Sequence, residues 1–86
     1  MNVTFSEAAE QIFVIKDLIE KIQGRPLLPR SQRIELAQRV YSIVAELTPA
    51  VRESLSRASD PVEIAGLEAV LHCLEGISIA LISLQF

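Results

Sequence analysis

His72 and Cys73 are the two side chains of this sequence best suited to chemistry near neutral pH, and each is the only one of its kind. A histidine beside a cysteine invites the reading of a base activating a thiol. On a helix, however, adjacent positions point about 100° apart, so these two cannot form a dyad within one helix. His72 stands four residues after Glu68, a spacing that permits a surface hydrogen bond but supplies neither a nucleophile nor the third group that would orient a base. Zinc needs a cluster of cysteines and histidines, which one of each does not make. The carboxylates are spread over every segment, with no pair at a spacing that requires acid/base work, and Gly24, Gly66 and Gly76 form no phosphate loop. The expectation is a protein that is not an enzyme and uses no metal or cofactor. His72 is assigned to the solvated surface and Cys73 to the flank of the core.

Charge is the second property that could recognise something. The net charge is −3, which disfavours nucleic acid, since that partner calls for a basic field. Its distribution is uneven. Lys16, Lys21, Arg25, Arg30, Arg33 and Arg39 fall between residues 16 and 39, whereas no lysine or arginine follows Arg57. Arg25, Arg30 and Arg33 surround one loop and are the candidates for contact with an acidic partner or a phosphate. No aromatic residue interleaves them, so base stacking has no support.

The elements that carry these residues read as helices. Apolar positions recur at steps of three and four, and no segment alternates at period two. Thr4 with Glu7 has capping-box spacing for a first helix that ends at Gly24, with a stripe of Phe5, Ala8, Ile12, Ile15, Ile19 and Ile22. Ser31 is the candidate cap of a second helix, whose stripe of Leu36, Ala37, Val40, Ile43, Val44 and Leu47 continues in phase to Val51, Leu55 and Ala58. Pro49 lies inside that run and either kinks the helix or breaks it in two. Asp60, Pro61 and Glu63 give the start of a last helix, with Leu67, Val70, Leu71, Leu74, Ile77, Leu81 and Leu84 as its core face, and a glycine within it, Gly66 or Gly76, is expected to permit a close helix crossing. The predicted fold is all-α: an antiparallel helical bundle of three long helical segments, the second kinked or broken at Pro49, giving three or four helices in a single domain over residues 1–86. The sequence ends at Phe86 without a helix stop signal, which suits either a docked terminus or an N-terminal module of a longer protein.

Half of the 86 residues are apolar, rich for a 9.5 kDa domain that has only one small core to hide them in. The excess concentrates at the end of the last helix. Ile79 and Phe86 project about 120° to 140° from the core direction and Ile82 about 80°. Either this half of the helix is buried all round by its own chain, or Ile79, Ile82 and Phe86 belong to an interface with another protein or a second copy. The interface is the reading adopted, and with it a non-catalytic adaptor or oligomerisation bundle. Two alternatives stand beside it: association with a membrane surface through residues 76–86, and a small regulator that binds an acidic partner through the loop arginines. A membrane-spanning role is disfavoured, because the uncharged stretch is eleven residues long and Glu75, His72 and Glu68 precede it. No basic, apolar leader opens the sequence, and one cysteine fits a reducing compartment, so the expected location is the cytoplasm.

Overall fold

Thr4 opens the first helix as its spacing requires. In the computed structural model, which describes residues 3–83, its hydroxyl oxygen accepts from the Glu7 backbone N–H at 3.2 Å, and α1 runs Phe5–Gln23. Gly24 ends it in extended backbone, φ −70°, rather than in the left-handed form. Space selects glycine there, because a Cβ would lie 3.0 Å from the Glu20 carbonyl oxygen. The following loop carries a cis Arg25–Pro26 peptide.

α2 spans Arg30–Arg57 as one helix with Pro49 inside it. The alternative of two helices divided at this proline is therefore excluded, and the described residues form three helices. Proline removes the bond to the Ala45 carbonyl, but Pro49 and Ala45 are both exposed, where water can take that carbonyl. The apolar side meanwhile stays in phase, with Val40, Val44, Leu47 and Val51 all buried. Ser31 is not the cap. Pro29, extended at ψ 149°, begins the helix through its carbonyl, which accepts from the N–H groups of Gln32 and Arg33 at 3.0 and 3.1 Å.

A turn of three residues leads to α3, Pro61–Ser83. Asp60 caps it, its Oδ1 accepting from the Val62 N–H at 3.1 Å. Asp60→Ala is expected to lose about 0.5–2 kcal/mol, read as a lower urea midpoint with an unchanged slope. Glu63 stands three residues after Asp60, the spacing of a capping box, but its Oε1 accepts instead from the Phe5 N–H at 2.7 Å and so satisfies the first turn of α1.

All three helices pack on one another. Phe5 meets Gly66, and further along Ile19 shares a groove with Ala80, so α1 and α3 run parallel and α2 antiparallel between their ends. Of the two glycines in α3, Gly66 permits the close approach, since a Cβ there would sit 2.8 Å from the Phe5 ring; Gly76 faces open space. The core is built from Ala8, Ile15 and Leu18 of α1, Val40, Val44, Leu47 and Val51 of α2, and Leu67, Val70, Leu74 and Leu81 of α3, with Leu36, Ile43, Leu55 and Ala58 only partly buried against it. Leu18 fills the position facing α2 that the first-helix stripe omits, and Phe5, expected in the stripe, is 41% exposed with its ring against Gly66. Ser54, a buried polar residue, accepts from the Val3 N–H at 2.8 Å, tying the start of the chain to the end of α2. The result is a rod of 46 × 18 × 18 Å. Its accessible surface of 5802 Å² exceeds the roughly 5,000 Å² of a compact protein of this mass.

Candidate interaction surface

A rod with so much surface leaves apolar residues outside: Phe5, Phe13 and Val14 on α1, Leu27 in the loop, Tyr41 on α2, and Val62, Ile79 and Ile82 on α3, where the isoleucines adjoin a run of small residues. The inner side of α3 gives Leu67, Val70, Leu74 and Leu81 to the core, and its opposite side stays exposed, met by α1 and α2 only along its edges. Exposed there are Val62, Ala65, Ala69, Cys73, Gly76, Ile79, Ala80 and Ile82. Ile79 is 67% exposed and Ile82 78%. The account in which this half of the helix is buried all round by its own chain is thereby overturned. Phe86, the third residue of the expected interface, and Leu84, expected in the core, lie outside the described residues.

Serines within this stretch do not make it polar. Ser78 Oγ donates to the Leu74 carbonyl at 3.0 Å and Ser83 Oγ to the Ile79 carbonyl at 2.9 Å, so each hydroxyl hydrogen is spent on its own helix. Shallow grooves flank the face. On the α1 side, Ile12, Ile19, Cys73, Gly76 and Ala80 line one of about 470 Å³, with Lys16 and Glu20 on its rim. On the α2 side, Thr48, Arg52, Glu75, Ser78 and Ile79 line another of about 400 Å³. Ionised groups on α3 itself are all acidic: Glu63, Glu68 and Glu75.

His72 projects into solvent as its position on the helix predicts, but its neighbour is Glu75, with Nδ1 4.0 Å from Oε2, rather than Glu68. Cys73 differs from expectation. It is exposed on the rim of the α1–α3 groove instead of packed at the flank of the core, because α1 reaches α3 through Ile12 and Ile19 on the inner side of the cysteine. Among the described residues, no three histidines, cysteines or carboxylates come together as a metal site would need.

The loop arginines separate into different roles. Arg25 is exposed at the end of the rod. Arg33 is half-buried, and its Nε donates to the Leu28 carbonyl at 3.0 Å, pinning the loop to the first turns of α2. Arg30 is exposed at the start of α2. None of this was evident from spacing alone, since five residues of sequence separate Arg33 from its partner across a bend. By length and composition α3 is apolar enough to cross a membrane, yet one side of it is packed against both other helices. Compared with protein-family models, with curated proteins and with solved structures, the chain matches none.

Proposed function

We propose that this chain is a non-catalytic interaction module that receives an amphipathic helix of another protein along the outer face of α3. The observation that carries the reading is the exposure of Ile79 and Ile82 on a helix whose opposite side already fills the core. Small residues at 65, 69, 73, 76 and 80 let a second helix approach closely, and the isoleucines give it apolar area to bury. Charge argues for the kind of partner. Glu68 and Glu75 lie beside Ile79 and Ile82 on α3 itself, whose ionised groups are all acidic, while Lys16 and Arg52 stand in the flanking grooves, so a helix with basic residues beside its apolar stripe is the complement. A second copy fits less well, because two antiparallel α3 helices related by a two-fold axis would bring these carboxylates together.

Ile79→Glu tests the reading. The variant is expected to keep its helical circular dichroism and unfolding midpoint while its complex with the partner weakens by at least about tenfold, the equivalent of 1.4 kcal/mol. Loss of the fold, or binding unchanged in a folded variant, would remove α3 from the contact.

A further inference from the structure

We propose that the loop end of the bundle is a separate contact surface that docks on an anionic lipid bilayer. In the sequence, the uncharged end of α3 and the arginine-bearing loop lie some fifty residues apart, and the former lacks the basic residues that accompany binding to a membrane surface. The fold removes that objection. Because α1 and α3 run parallel, the end of α3 comes to the same tip of the rod as the end of α1, the loop and the start of α2.

That tip has a distinct composition. Residues 20–35 hold Lys21, Arg25, Arg30 and Arg33 against Glu20 and Glu35 at their two edges, and residues 76–83 of α3 carry no charge at all. Within the loop Leu27 is 57% exposed, between Arg25 and Arg30 in sequence. The bond from Arg33 to the Leu28 carbonyl holds the loop against α2, so Leu27 projects from a fixed support. Lys21 is paired with Asp17 at 3.1 Å one turn back along α1, which weakens the contribution of Lys21. Arg25 and Leu27 are therefore the residues on which the surface depends most.

Shape and charge favour a bilayer over an acidic peptide. The exposed leucine and the cations sit at the narrow end of a rod 46 Å long and 18 Å wide, where a flat surface meets several elements at once. The far end of the rod holds Glu7, Glu53, Asp60 and Glu63, against Arg52 and Arg57. An anionic surface would repel that end and attract the loop, standing the rod upright and leaving the side of α3 clear for its own contact. A module with both surfaces would hold its protein partner at a membrane.

The test is flotation of the intact chain with phosphatidylcholine vesicles, with and without phosphatidylserine. Binding is expected on the vesicles containing phosphatidylserine alone, and it should vanish in 1 M salt, where the screening length is about 3 Å. Arg25→Glu should weaken it roughly 25-fold, about fivefold for each of the two units of charge. Leu27→Ser should weaken it about fourfold for each methylene-sized group that no longer inserts. Both positions are exposed, and circular dichroism verifies that the variants fold. Absence of binding at low salt, equal binding to neutral vesicles, or full binding by Arg25→Glu would overturn the proposal. No protein partner is present in this assay, so its failure would leave the α3 contact standing, and failure of that contact would leave this one.

Discussion

Replacing Leu74 by alanine is expected to destabilise the bundle by about 2–5 kcal/mol. Leu74 is 1% exposed, among the largest fully buried side chains, and lies midway along α3 where that helix meets the rest of the core. A chain of this length has a total stability of roughly 4–13 kcal/mol, so the loss is a large share of the whole. Truncation removes the apolar area and leaves a cavity that three long, parallel-walled helices have little freedom to close. Leu71, expected in the core from the same stripe, is only partly buried, and its truncation should cost less. Urea unfolding of the two alanine variants measures the difference. Equal midpoints would contradict the orientation of α3 about its axis.

A larger contrast is expected between adjacent residues near the end of α3. Leu81 is 4% exposed and Ile82 78%. Leu81→Glu places an unpaired carboxylate among apolar side chains, which costs several kcal/mol or forces the end of the helix out of the bundle. Ile82→Glu places the same group in water and should leave the unfolding midpoint nearly unchanged. The helical period alone would put Ile82 about 80° from the core direction, close enough to share in it. It is exposed because neither neighbour covers that side of α3. Comparable destabilisation by both substitutions would mean that this end of α3 is enclosed after all.

How far the sequence reached can be traced through particular residues. Helix starts with a side-chain cap were legible, because Thr4 and Asp60 act within three residues of themselves. The in-phase stripe through Val44, Leu47 and Val51 favoured a continuous α2, and the exposure of Pro49 explains why the proline does not stop it. Contacts between distant residues were not legible. Glu63 satisfies the Phe5 N–H from another helix, and Ser54 is buried because the Val3 N–H reaches it. Neither has a local spacing that could announce it. The same limit governs the surfaces. Periodicity identified Ile79 and Ile82 as surplus to the core, but only the packing of three helices decides that nothing within the described chain covers them. The meeting of the arginine loop with the uncharged end of α3 follows from helix direction and cannot be read from either segment.

Site-specific photo-crosslinking from position 79 tests the central claim most directly. A photoreactive residue in place of Ile79, introduced into the intact protein in the cells that make it, should give one discrete adduct. The same residue at Glu46, exposed on α2, is the control and should give none. Mass spectrometry of the adduct is predicted to identify another protein, joined through a helix bearing lysine or arginine beside its apolar stripe. No adduct from position 79, the same products from both positions, or a dimer of this chain would contradict a partner helix on α3.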